Sequence, residues 1–229
     1  MPAARDHDRE IAAMFDRIAP RYDLLNRVLS LGTDVGWRRR ALALAEIRPG
    51  HVVLDVGAGT GDLALAVRRR VPGARVIALD LSRGMLARAV RRRPDLEAVV
   101  ASAEAIPLAD ASVDRIVSAF TVRNVGDVGG ALRELMRVLR PGGRAVVLEL
   151  SNPPNAAFAR LYRAYFEGLA PRVAAALGGD PDAYRYLPRS VRRFPSADEL
   201  AASLRSAGAA RVRFERLVLG VAAIHVADR

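Results

Sequence analysis

Apolar positions at the start of the chain recur at helical spacing. Ile11, Met14, Phe15 and Ile18 lie on one face of a helix, and Pro20 interrupts it. Tyr22, Leu25, Val28 and Leu29 mark a second helix, with Gly32 as its stop, and Asp34 is placed to cap a third that carries Trp37 and Leu42. The period then changes. His51–Val56, Arg75–Leu79, Glu97–Ala101, Val113–Ala119 and Arg144–Leu150 are short apolar runs that read as buried strands. Helical patterns fall between most of them, at Gly61–Arg70, Ser82–Arg92 and Val128–Leu139, and Pro141–Gly143 predicts a tight turn. This alternation predicts a doubly wound, mostly parallel sheet with helices on both faces.

The rhythm stops at Pro153. Residues 153–193 hold a helical stretch over Phe158–Leu177, a Gly-Asp-Pro-rich turn, then Tyr184, Tyr186 and Pro188. Their large apolar and aromatic side chains mark an insertion rather than a linker. A helix over Ser196–Ser206 precedes two strands, Arg211–Leu217 and Ala222–Ala227, which a turn at Gly220 joins as an antiparallel hairpin. The expected organisation is one α/β domain over 1–229. It divides into a helical N-terminal lid (1–45), a core (46–152), a lid insertion (153–195) and a terminal helix with hairpin (196–229).

Composition narrows the chemistry. The chain has no cysteine, which excludes disulfides, thiolate metal sites and cysteine nucleophiles; no metal site is expected. Met1–Glu10 lacks the apolar core of a signal peptide, and no apolar run approaches the ~20 residues that span a bilayer. A cytoplasmic protein is the expectation. The net charge is +11, and all 36 basic residues are arginine. Total exclusion of lysine points to codon bias more than to a nucleic-acid site. The runs Arg38–Arg40, Arg68–Arg70 and Arg91–Arg93 fall near predicted helix ends, where cations meet the helix dipole. Aromatics are not interleaved with them, so nucleic acid is not an expected partner.

The most specific local signal is Val53-Leu54-Asp55-Val56-Gly57-Ala58-Gly59-Thr60-Gly61-Asp62, where a strand gives way to a helix. Glycines there permit positive φ and close approach of a ligand. The spacing is G-x-G-x-G rather than the dinucleotide G-x-G-x-x-G, and without lysine a P-loop is excluded. Asp80 ends the second strand, where an acid can accept both ribose hydroxyls. Together with the terminal hairpin, these features resemble a class I SAM-dependent methyltransferase. The resemblance implies S-adenosyl-L-methionine (SAM) as cofactor, with Asp55, Gly57, Gly59 and Thr60 around its methionyl part. It implies Asp80 at the ribose, Ser102 and Ala103 by the adenine, and Ala119 and Phe120 lining the cofactor and opening toward the acceptor.

Further segments name an acceptor. They are Met14–Asn26 (MFDRIAPRYDLLN), Leu29–Gly32, Trp37-Arg38, Phe120–Val125 (FTVRNV), Glu149–Ser151, Asp180–Ser190 and Ala223–His225. In this order they closely resemble the ubiquinone/menaquinone biosynthesis C-methyltransferase family, from about Ile11 to His225. One departure is Ala119, where some members carry serine, so only a backbone contact is expected there. The resemblance implies C-methylation of a quinol ring. Demethylmenaquinol is the preferred acceptor, and the benzoquinol precursor of ubiquinone is the alternative. An RNA methyltransferase or a non-catalytic SAM-binding subunit are competing readings. Arg123 is the first candidate to stabilise the phenolate, followed by Asn124, Tyr22 and Asp23. A salt bridge from Arg123 to Asp127 is the structural alternative, and Tyr22 could equally be core. His225 reads as a packed strand residue; His7 and His51 have no visible partners. Met14, Phe15, Ile18, Leu24, Val28, Leu29, Phe158, Leu161, Tyr162, Tyr165 and Phe166 are candidates for an isoprenoid groove. Transient association with the inner membrane face and a homodimer complete the expected partners.

Overall fold

The computed structural model of the chain describes residues 2–176, 178 and 180–229. Its strands are β1 (Val52–Val56), β2 (Arg75–Asp80), β3 (Glu97–Val100), β4 (Val113–Ala119), β5 (Leu139–Leu150), β6 (Arg211–Leu217) and β7 (Ala222–Asp228). They form one sheet of order β3-β2-β1-β4-β5-β7-β6. β1 to β5 run parallel, and β7 lies antiparallel between β5 and β6. The seven-stranded, mostly parallel sheet with its terminal hairpin is therefore present as predicted. Val53, Leu54, Asp55 and Val56 of β1 are all buried, because helices cover both faces.

The helices are α1 (Pro2–Ile18), α2 (Tyr22–Leu29), α3 (Thr33–Leu44), α4 (Asp62–Arg70), α5 (Arg83–Arg92), α6 (Val128–Val138), α7 (Ala156–Arg163), α8 (Ala170–Ala176), α9 (Pro181–Arg193) and α10 (Ala197–Ser206). Leu132 and Leu135 of α6 and Leu200 and Leu204 of α10 pack on one sheet face with Leu54 and Ile116. Ala41 and Leu42 of α3 and Leu63 and Ala64 of α4 pack on the other with Val53, Val117 and Val146. Among the described residues, no helix is long and apolar enough to cross a membrane.

The structure differs from the sequence reading in several places. Gly32, not Asp34, is the N-cap of α3; Asp34 lies in the first turn and is buried in an ion pair with Arg38. Arg38–Arg40 consequently sits inside α3 rather than at a helix end, whereas Arg68–Arg70 and Arg91–Arg92 do close their helices. Pro141–Gly143 bulges within β5, where the register jumps from Val113↔Leu139 to Arg115↔Arg144. The helix expected over 158–177 starts at Ala156, capped by Asn155, and is broken by a π-helical turn at Ala164–Leu169. Leu177, the last residue of the expected helix, and Gly179 of the expected turn lie outside the described residues. Tyr184, Tyr186 and Pro188 belong to α9, a helix the pattern did not announce. Pro181 opens it, a position where proline's missing N–H costs nothing, while Pro188 inside it disguised the helical period.

Candidate functional site

The carboxyl ends of β1 and β4 are neighbours, and β1 turns away from β4 toward β2. Such a switch point leaves a crevice above the sheet. The loop Gly57–Gly61 borders it. Gly57 and Ala58 donate their N–H groups to Leu79 O, at 2.7 and 2.9 Å. A side chain on Gly57, at φ 69°, would collide with Thr121. A Cβ on Gly59, at φ 55°, would meet no protein atom within 4 Å; its space is open to the crevice. Asp80 Oδ2 accepts from Gly59 N (2.7 Å) and its Oδ1 from Ser82 N (2.8 Å). Burial raises the Asp80 pKa.

One cavity in this crevice is lined by Gly57, Gly59, Asp80, Ser102, Ala103, Ala119 and Phe120, with Ile11 and Phe15 of α1 over it. An adjoining recess is lined by Tyr22, Asp23, Arg38, Asp55, Thr60 and Asp62. Asp55 Oδ2 accepts from Ala64 N at 2.9 Å, which ties it to the first turn of α4. Its Oδ1 is buried and has no partner among the described residues. Burial pushes its pKa up to about 7, against the pull of the Ala64 hydrogen bond. Thr60 Oγ1 donates to Asp23 Oδ1 at 2.7 Å, so Asp23 sits with the Gly57–Gly61 loop and outside the aromatic cavity described next.

That second cavity, of about 280 Å³, is lined by Trp37, Phe158, Tyr162, Tyr165 and Phe166, with Leu29, Asp34 and Arg123. Tyr22 and Phe120 border both cavities. Phe120 has φ 62°, and two guanidinium groups lie by its ring, Arg38 at 5.0 Å and Arg123 at 5.8 Å from the centroid. Arg123 sits on the 3₁₀ turn Val122–Asn124 that follows β4. Its Nη1 donates to Glu149 Oε2 at 3.0 Å and its backbone N to Glu149 Oε1 at 3.2 Å. The side chains are 6% and 1% exposed. Burial raises the Glu149 pKa, and the Arg123 charge opposes it. Arg123 Nε keeps no partner among the described residues. The partner considered from sequence, Asp127, pairs with Arg133 instead. Desolvation raises the Tyr22 pKa, opposed by Arg123 and then Arg38. Asn124 Nδ2 donates to Phe120 O at 3.1 Å, while its buried Oδ1 has no partner among the described residues.

The structure thus gathers Tyr22, Arg123 and Asn124 at the junction, and Asp55, Gly57, Gly59, Thr60, Asp80, Ser102, Ala103 and Ala119 in the crevice. Of the groove candidates, Leu29, Phe158, Tyr162, Tyr165 and Phe166 line the aromatic cavity, and Met14 and Ile18 are core. Leu24, Val28 and Leu161 are exposed. Sequence reading missed the roles of Arg38 and Asp34; their i, i+4 spacing beside Trp37 was the available signal. Glu149 stood in a quoted motif, yet nothing local tied it to Arg123. The histidines also differ: His7 Nε2 reaches Asn124 O at 3.0 Å and His51 Nδ1 accepts from Arg48 N at 3.2 Å. His225 is packed in β7 against Phe214, as read.

With β7 reversed against β5 and a G-x-G-x-G loop facing the crevice, the fold is that of the class I SAM-dependent methyltransferases. A solved SAM-dependent methyltransferase from Thermotoga maritima, described as a possible histamine N-methyltransferase, matches it with a TM-score of 0.70. The match covers 94% of this chain and 98% of that one at 20% identity, which speaks to the fold alone. The model of the ubiE/COQ5 methyltransferase family matches residues 3–229, and the chain belongs to that family. It is 48% identical to the demethylmenaquinone methyltransferase of Thermus thermophilus, over 94% of this chain and 100% of the relative. It is 41% identical to the demethylmenaquinone methyltransferase of Deinococcus radiodurans, over 98% and 95%. Membership in this family implies SAM as methyl donor.

Proposed function

We propose that the protein methylates a ring carbon of demethylmenaquinol, the last step of menaquinone synthesis. The observation that carries this reading is the meeting of a cofactor crevice and an aromatic cavity at Tyr22 and Phe120, with a buried arginine at the junction. The names of the relatives support the same acceptor.

The crevice fits SAM. The open space over Gly59 admits a ligand, and the unpartnered Asp55 Oδ1 suits an ammonium group. Arg38 supplies a cation for a carboxylate in a recess whose other charged lining residues are Asp23, Asp55 and Asp62. The Gly57 and Gly59 backbone and Thr60 hold the methionyl part, Asp80 the ribose, and Ser102 and Ala103 flank the adenine. Ala119 contributes its backbone. Asp23, once a catalytic candidate, serves by fixing Thr60. When bound, SAM supplies an electrophilic sulfonium methyl.

The remaining chemistry belongs to the chain. A ring carbon becomes nucleophilic when its neighbouring hydroxyl is deprotonated, and a free phenol has a pKa near ~10. Once methylated, that carbon gives up its hydrogen as a proton, which restores the aromatic ring, so one proton is released for each methyl transferred. The buried Arg123 charge stabilises the phenolate in a low-dielectric site, where it counts for more than in water. Tyr22 stays neutral because burial raises its pKa, so it can donate a hydrogen bond. Asn124 Oδ1 is free to orient a hydroxyl. Helices of the 1–45 segment and the 153–195 insertion act as a lid that excludes water. The isoprenoid acceptor resides in the bilayer, so the enzyme works cytoplasmically against the inner membrane face.

The test is methyl transfer from labelled SAM to demethylmenaquinol and, in parallel, to the benzoquinol precursor of ubiquinone, in detergent under reducing conditions. The naphthoquinol should be methylated. Product from both acceptors would make the enzyme dual-pathway, and product from neither, with SAM bound, would sink the reading. Arg123→Lys should keep SAM affinity and lose roughly a hundredfold or more in turnover, because a lysine cannot pair with Glu149 through one fixed donor, as Nη1 does, and hold a second donor, such as Nε, toward the phenolate.

A further inference from the structure

Six non-glycine residues have a positive φ among the described ones: Leu31, Glu46, Ala111, Phe120, Val218 and Leu219. Leu31, Phe120 and Val218 line the aromatic cavity, and Leu219 follows Val218. The left-handed region crowds a side chain against the backbone, and for branched or bulky residues it is an outlier that asks for a reason. Leu31, at φ 52°, stands one residue past the C-cap of α2. Its N–H reaches Val28 O at 3.1 Å and that of Gly32 reaches Arg27 O at 2.7 Å. In this motif glycine is the usual left-handed residue, yet here leucine takes the place and glycine comes one position later.

Neither tip is explained by packing. Leu31 is 82% exposed, Val218 51% and Leu219 69%. A residue that lines a cavity while mostly exposed stands at its mouth. Two loop tips, one after α2 and one between β6 and β7, therefore hold three bulky apolar side chains out at the entrance of the aromatic cavity. Leu24 and Val28 continue exposed apolar surface along α2 at helical spacing to Leu31. Arg27 of α2 and Arg160 and Arg163 of α7 are exposed and have no acidic partner among the described residues. α7 also contributes Phe158 and Tyr162 to the cavity. Apolar tips beside unneutralised cations, on a chain of net charge +11, complement an anionic bilayer surface.

We propose that Leu31 and the Val218–Leu219 pair are membrane-insertion tips that dock the mouth of the aromatic cavity on an anionic lipid bilayer. The arginines meet headgroup phosphates while the tips enter the acyl boundary, so a lipid-borne acceptor passes into the cavity without crossing water. The inference rests on the reading that the acceptor is an isoprenoid quinol.

The test is co-sedimentation of the full chain with vesicles of phosphatidylglycerol and phosphatidylcholine, and with vesicles of phosphatidylcholine alone. Wild type should bind the anionic vesicles, and more weakly the neutral ones. Leu31→Asn with Leu219→Asn should lower vesicle affinity by at least about tenfold per leucine. Asparagine tolerates the left-handed backbone, so the melting temperature and the stabilisation by SAM should be retained. Leu219→Asn alone should leave turnover of a detergent-dispersed acceptor unchanged and slow turnover of a vesicle-embedded one. Equal vesicle binding by the double variant would overturn the proposal. So would a concentration-dependent dimer, without vesicle binding, that the variant abolishes, because the tips would then belong to a second copy. Quinol turnover without vesicle binding removes the anchor, whereas vesicle binding without quinol turnover removes only the acceptor reading.

Discussion

Asp55 is a buried carboxylate with one oxygen satisfied by Ala64 and one left over. Its pKa of about 7 lies above the ordinary 3.8, so between those values the folded state holds a proton that the unfolded chain has lost. Its contribution to stability is fully present below 3.8 and is lost as pH rises through about 7. Relative to Asp55→Asn, the cofactor-free wild type should lose roughly 5 °C in melting temperature between pH 5 and 8. An ammonium group beside Oδ1 favours the ionised form. Saturating SAM should therefore shrink that loss, and SAM affinity should rise with pH until about 7 and then level. A melting difference that is flat across pH, measured by scanning calorimetry, would show that burial does not hold the proton on Asp55, and a loss that saturating SAM leaves unchanged would remove Asp55 from the ammonium site.

At the scale of elements, side-chain contacts lash the N-terminal helices to the crevice bordered by the Gly57–Gly61 loop. Asp16 of α1 accepts from Ser82 Oγ and from Gly84 N (2.8 Å), at the start of α5. A Cβ on Gly84 would lie 2.7 Å from Asp16 Oδ1. Gly84→Val should push α1 outward, and α1 carries Ile11 and Phe15 of the crevice cavity proposed for SAM. Titration calorimetry should then report SAM affinity lower by roughly tenfold, about 1.4 kcal/mol; an unchanged affinity would show that α1 does not close the crevice. On the other side, Tyr165 OH donates to Leu29 O at 3.0 Å and ties the 153–195 insertion to α2. Tyr165 and Phe166 ride on the π-helical turn, a local widening that recurs at functional sites and here turns both rings into the aromatic cavity.

At the scale of the whole molecule, the crevice draws on α1, α2, the β1 loop and the ends of β2 and β4, which are far apart along the chain. A ligand that touches all of them stabilises the folded state as a unit. SAM at a hundredfold excess over its Kd should contribute about 2.7 kcal/mol, and raise the melting temperature by roughly 5–10 °C. Differential scanning fluorimetry with and without SAM checks this. A shift near zero at saturation would mean that the crevice does not take the cofactor as a single site.

The sequence by itself determined the order and type of most elements, since strand and helix periods are local and the Gly57–Gly61 loop declares its backbone. It also carried the family, because the MFDRIAPRYDLLN and FTVRNV segments are contiguous. Helix α9 was hidden, since Pro188 broke its pattern while packing around Ala183, Tyr186 and Val191 sustains it. Partnerships were decided only in three dimensions. Arg123 pairs with Glu149 rather than Asp127 because β5 lies parallel beside β4, and their carboxyl ends bring residues 26 apart together in a dry site where each charge needs the other. Arg38 leaves the surface arginines because Asp34, one turn before it, is buried and pairs with it, and Leu31 takes a glycine's conformation at the mouth of the aromatic cavity. Local periodicity supplies at most the i, i+4 spacing of Asp34 and Arg38; which groups are desolvated together, and which tips stay exposed, depends on segments far apart in the chain.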